Sequence, residues 1–153
     1  MPRVLNLGET VNLWRCEMAV GEMIIRDLKR DEGFKSKPYK DTVGKLTIGY
    51  GRNLDDVGIS QREAEELLRY DVTVANRELL SFSWYDDLTT NRKRALINMM
   101  YNLGFTKFRK FKKMIAAFER EDYYGAAYEA TNSKWATQVG VRASRIEALI
   151  RQG

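Results

Sequence analysis

One short stretch of the chain keeps a different period from everything around it, and that mismatch limits the architecture. Before it, Met23, Ile24 and Leu28 recur at helical spacing, joined by Ile25, and the pattern stops at Glu32-Gly33. This predicts a helix over about 22–32 with Gly33 at its C-terminal cap, where glycine takes a left-handed backbone without steric cost. Residues 34–52 then bring Pro38, the turn signal Asp41-Thr42-Val43-Gly44 and the alternating Leu46, Ile48 and Tyr50. Alternation bounded by turn residues predicts a short β-hairpin or a three-stranded sheet. Gly49 and Gly51 let that backbone bend or approach something closely.

Beyond this stretch the helical pattern returns. Ser60-x-x-Glu63 is a capping-box signature, continued by Ala64, Leu67, Leu68, Val72, Ala75 and Leu79. It predicts a long helix over about 60–80 that bridges two lobes. Further helices are expected over about 90–103, 111–120, 123–131 and 142–151. Trp84 and Tyr85 fall in a connection, and Trp135 starts a short connecting stretch. The expected fold is α+β: a hairpin lobe of about 34–58, and a helical lobe of about 81–153 that includes helix 22–32. Residues 22–153 form one domain in this reading, residues 1–21 are an N-terminal extension, and a cleft between the lobes is the expected ligand site.

Composition narrows the chemistry. The 153 residues include no histidine and one cysteine, Cys16. That excludes Ser-His-Asp and Cys-His nucleophilic catalysis, zinc sites built from several such ligands, and a disulfide framework within the chain. Carboxylates are left as the leading acid–base groups. No apolar run approaches the ~18 residues of a membrane span. Residues 1–21 break their apolar positions with Asn6, Glu9, Asn12, Arg15 and Glu17, unlike an export signal, so the expectation is a cytoplasmic chain that leaves without signal cleavage. Arg3 and Arg15 balance Glu9 and Glu17 there, so the net charge of +5 belongs to residues 22–153. Cys16 is expected as an exposed free thiol.

The densest chemistry lies in Arg30-Asp31-Glu32-Gly33, Tyr39-Lys40-Asp41-Thr42 and Leu46-Thr47-Ile48-Gly49-Tyr50-Gly51. Glu32 at a helix C-terminus meets the negative end of the macrodipole, which disfavours a second negative charge and suits a group that must hold a proton. Asp41 falls in a polar turn. From residue types alone, a solvated helix end and an ordinary turn former account for both.

A resemblance shifts that balance. Glu32 is followed by Asp41 nine residues on and by Thr47 six after that. These types and spacings, with the Thr47–Gly51 strand, Arg62-Glu63-Ala64-Glu65, Arg94 to Met99, Lys134-Trp135 and Arg142-Ala143, resemble the glycoside hydrolase family 24 muramidases, the lysozymes (endolysins) of T-even phages. The similarity covers about 22–153. It implies a lysozyme-like fold and hydrolysis of the β-1,4 bond between N-acetylmuramic acid and N-acetylglucosamine in peptidoglycan. Glu32 would be the general acid, and Asp41 and Thr47 would position water for an inverting attack. Carboxyls of inverting enzymes stand roughly 6.5–9.5 Å apart.

The resemblance further implies that Tyr101 and Asn102 face the substrate and that Arg142 reaches the catalytic glutamate, while Asn53, beside the hairpin's end, is a candidate cleft residue. No metal or organic cofactor is implied. The protein would wait in the host cytoplasm until a holin opens the inner membrane, then act in the periplasm on the wall as a monomer. Arg52 stands where the family commonly has a histidine, and is expected to tie the hairpin lobe through a charge pair. The run Lys107-Phe108-Arg109-Lys110-Phe111-Lys112-Lys113 is expected to attract the anionic envelope rather than nucleic acid, with Phe108 and Phe111 in the core. A lytic transglycosylase, or a non-catalytic wall-binding module, is the alternative.

Overall fold

The computed structural model describes the backbone of residues 7–153 and the side chains of residues 20–153. Two compact units divide between Ser60 and Gln61. The reading of Cys16 as an exposed thiol lies outside the described side chains.

The first unit opens with α1 (Leu7–Glu32), then carries β1 (Lys35–Lys40), β2 (Leu46–Gly49) and β3 (Arg52–Asn53). Helix α1 begins well before the expected residue 22. No proline follows Pro2 until Pro38, and an interior glycine such as Gly21 costs a helix only about 1 kcal/mol. The helix stops where expected: Gly33 takes a φ of +65° and its N–H reaches the Lys29 carbonyl at 3.2 Å.

The strands form one antiparallel sheet in the order β1-β2-β3. Tyr39 faces Thr47 across β1 and β2, and Thr47 faces Asn53 across β2 and β3. The β1–β2 register shifts between Lys35 and Tyr39, the stretch that holds Pro38, which lacks an N–H and sits on an edge strand. The alternation of Leu46, Ile48 and Tyr50 marks the strand but not its buried side. Leu46 and Tyr50 are exposed, and the buried residue is Thr47, at 3% exposure.

The second unit contains α2 (Gln61–Leu79), α3 (Thr90–Leu103), α4 (Phe105–Phe108), α5 (Lys112–Glu119), α6 (Tyr123–Thr131), α7 (Lys134–Val139) and α8 (Val141–Gln152). The expected long helices are present. Two short ones, α4 and α7, occupy stretches read as connections. Helix α7 has ordinary start and stop signals: Ser133 accepts a bond from the Ala136 N–H at 3.1 Å, and Gly140 follows with a φ of +54°.

Helix α3 lies at the centre of this unit, packed by α2, α4 and α8, with Ala95, Leu96, Met99 and Met100 buried. Around it Phe108, Met114, Phe118, Trp135, Ile146 and Ile150 close the core. Trp84 stacks on Phe118 with ring centroids 4.9 Å apart. Tyr85 is buried with its hydroxyl donating to Asn76 Oδ1 at 2.7 Å, and burial, reinforced by Asp86, pushes its phenol above the ordinary range. The apolar stripe of α2 is buried only near its end, at Ala75 and Leu79, whereas Leu67, Leu68 and Val72 are exposed. Among the described residues no helix is long and apolar enough to cross a membrane.

Candidate active site

In the first unit, three of the residues singled out from sequence stand on one frame, and the backbone of Lys45 organises two of them. Asp41 follows β1 and opens the turn into β2. Its N–H donates to the Lys45 carbonyl at 2.9 Å, and Gly44, with a φ of +84°, donates back to the Asp41 carbonyl at 3.0 Å. The Asp41 carboxylate accepts from the N–H groups of Val43 at 3.0 Å and Lys45 at 2.8 Å, both on Oδ1. An aspartate bonded to the backbone of its own turn is held in one orientation.

Thr47 lies two residues beyond Lys45 on β2. Its buried hydroxyl donates to the same Lys45 carbonyl at 3.2 Å. A hydroxyl has one proton and two lone pairs, so this bond leaves Thr47 Oγ1 as an acceptor. The peptide groups of Lys45 therefore orient both the carboxylate and the hydroxyl.

Glu32 is the last residue of α1 and is exposed, just before the helix stop at Gly33. Its carboxyl lies against Gly51, in the turn between β2 and β3. A methyl group placed on Gly51 would stand 2.8 Å from Glu32 Oε2 and 3.1 Å from Cδ.

The loop after β3 braces β2. Asp55 Oδ2 accepts from the Leu46 N–H at 2.8 Å, and Asp56 pairs with Lys45 Nζ at 2.8 Å. Asn53, a candidate cleft residue from sequence, has both ends of its amide engaged by Asp56: Nδ2 donates to its carboxylate and Oδ1 accepts its N–H, each at 2.9 Å. Arg52 donates from Nε to the Gly58 carbonyl at 3.0 Å, tying the end of the hairpin to the following turn. The bracing role of Asp55 and Asp56 was not read from sequence, although Asn-x-x-Asp is a common turn-closing spacing.

The other candidates belong to the second unit. Tyr101 and Asn102, near the end of α3, are exposed and line a cavity of about 560 Å³ whose wall from α2 includes Asp71 and Glu78. The buried Trp135 donates its indole N–H to Asn102 Oδ1 at 2.7 Å. Arg142 on α8 is half-buried and donates from Nε to Asn98 Oδ1 at 2.7 Å. Asn98 and Asn102 sit one helical turn apart on α3, which puts them on one face of that helix.

The basic run crosses the end of α4, the following turn and the start of α5. Lys107, Arg109, Lys110, Lys112 and Lys113 are exposed, while Phe108 is buried and Phe111 meets Trp135 edge-on at 6.1 Å. Lys110, Lys112 and Lys113 line a second cavity of about 350 Å³ with Asn132 and Ser133. Among the described residues, no three of His, Cys, Asp or Glu converge as metal ligands would.

Residues 29–152 match the family model described as phage lysozyme. The chain is 34% identical to the probable T4-type lysozyme 2 of Dictyostelium discoideum, across 82% of this chain and 92% of that protein. It is 31% identical to the endolysin of Acyrthosiphon pisum secondary endosymbiont phage 1, across 88% of this chain and 92% of that one. It is also 28% identical to the pre-baseplate central spike protein of Enterobacteria phage T4, across 89% of this chain but only 28% of that protein. With a family model spanning most of its length and relatives that it covers nearly end to end, the chain belongs to the phage lysozyme family.

Proposed function

We propose that the protein is a peptidoglycan hydrolase for host-cell lysis that cuts the β-1,4 bond between N-acetylmuramic acid and N-acetylglucosamine with inversion. The observation that carries this reading is the shared anchoring of Asp41 and Thr47 to Lys45. Both residues offer acceptor oxygens, so a water bound between them donates a hydrogen bond to each and aims a lone pair outward. Asp41 then takes the proton as that water attacks the anomeric carbon. Glu32 delivers a proton to the leaving oxygen. Tyr101 and Asn102 are proposed sugar contacts. With Oδ1 taken by Trp135, Asn102 keeps Nδ2 to donate to an acetamido carbonyl. Asn53 and Arg142 serve the site by holding the hairpin's end and the face of α3.

The five exposed cations of 107–113 favour encounter with an anionic wall. The remainder of the reading is a monomer that needs no cofactor, released from the host cytoplasm to the wall when a holin opens the inner membrane.

The test is substitution with product analysis. Glu32→Gln should lower clearing of a wall suspension by about 10²–10⁴-fold with an unchanged melting temperature, because an amide cannot supply the proton. Asp41→Asn should be similarly damaging. Mass spectrometry of wild-type digests should show ordinary reducing ends. Wild-type clearing by Glu32→Gln sinks the assignment, and 1,6-anhydro ends would make the protein a lytic transglycosylase.

A further inference from the structure

We infer that Gly51 is a positioning residue: its missing side chain is the space that sets where the Glu32 carboxyl stands. The inference rests on the reading of Glu32 as the acid. Among the described glycines of the first unit, Gly33, Gly44, Gly49, Gly51 and Gly58 all have positive φ, so each suits its backbone. Gly51 differs from the other four in what lies beside it. A methyl group on any of those would meet no atom within 4 Å, whereas on Gly51 it would overlap the Glu32 carboxyl, with Oε2 at 2.8 Å, Cδ at 3.1 Å and Cγ at 3.6 Å.

The overlapping group is the far end of an exposed, flexible side chain, so an added methyl displaces the carboxyl instead of breaking the fold. Glu32 is the final residue of α1, and its backbone is fixed by the helix stop at Gly33. A displaced carboxyl therefore swings on its own side-chain torsions, away from the β2–β3 turn that now limits its position. A proton donor misplaced by about 1 Å costs on the order of a hundredfold in rate. Position 51 thus acts on the reaction through Glu32 and need not touch the sugar.

Gly51→Ala is tested against Gly58→Ala, which carries a comparable backbone cost at a φ of +63° but meets nothing. Both variants should melt below wild type by similar amounts. Gly51→Ala should lose about a hundredfold in kcat/KM on a soluble wall oligomer, with the alkaline limb of its pH profile, which reports the proton on Glu32, moved. Gly58→Ala should lose no more than severalfold and keep the wild-type limb. In the wild-type protein, the α protons of Gly51 should show a nuclear Overhauser contact with the γ protons of Glu32.

Equal activity losses in the two variants, an unmoved limb in Gly51→Ala, or an absent Overhauser contact overturns the inference. So does failure of Gly51→Ala to fold where Gly58→Ala folds, since that would mean the methyl meets something rigid. The reading of Glu32 fails separately, if Glu32→Gln keeps its activity.

Discussion

Each of the two units owes its internal order to a different force. Every buried hydrophobic side chain described lies in the second unit, from Ala75 to Ile150. There burial of helix faces against α3 supplies the driving force, at roughly 25 cal/mol per Å² of apolar surface. The described part of the first unit has one buried side chain, the threonine of β2, while Ile24, Phe34, Val43 and Ile59 are exposed. Its order comes from the strand ladder, from carboxylates bonded to backbone N–H groups, and from glycines where the chain turns left-handed. Hydrogen bonds fix direction well and add little net stability each. The unit that carries the proposed acid, carboxylate and hydroxyl is therefore the one ordered by oriented polar groups, and the other is ordered by its apolar core.

This contrast can be broken in three places. The largest effect should come from Phe118→Ala, which empties the site beneath Trp84 and costs about 3–5 kcal/mol, or roughly 10 °C for a chain of this size. Calorimetry checks it, and a loss under 1 kcal/mol would mean that the second unit does not depend on its core as described. Next, Asp55→Ala removes the acceptor for the Leu46 N–H and should cost about 1 kcal/mol. Amide exchange should quicken at Leu46 and its strand neighbours and stay unchanged in α3 and α8. Quickening in both units together would show that the polar bracing is not local.

The smallest effect on stability should come from changing Lys107, Arg109, Lys110, Lys112 and Lys113 together to Gln, since surface substitutions usually stay within about 0.5 kcal/mol each. Clearing of whole walls at low salt should nonetheless fall roughly tenfold, with little change on short soluble oligomers. The salt dependence of the wild type should largely disappear. Equal losses on walls and oligomers would assign these residues to shaping the second unit, not to attraction.

Much of the framework was readable because it rests on local rules. The helix stop at Gly33, the turn at Asp41–Gly44 and the starts of α2 and α3 follow from capping, left-handed glycine and period, all within a few residues. Phe108 is buried, as its spacing from Phe111 suggests, although the two lie on different elements, Phe108 ending α4 and Phe111 preceding α5. Even α7 carried its signals in Ser133 and Gly140. Helix α1 starts earlier than its amphipathic spacing indicates, because helix propensity without a breaker is enough to extend it.

The sequence by itself thus determined the longer helices, the strand region between them, the candidate acid–base residues and the family. Only the tertiary structure decided which face of β2 is buried, because alternation fixes a period of two but not which phase faces inward. It alone showed that Asn102 belongs to Trp135 and Arg142 to Asn98, pairings that span 33 and 44 residues. The same holds for the Glu32 carboxyl against Gly51. Such contacts depend on how separate elements pack, and no local propensity encodes the position of an atom many residues away.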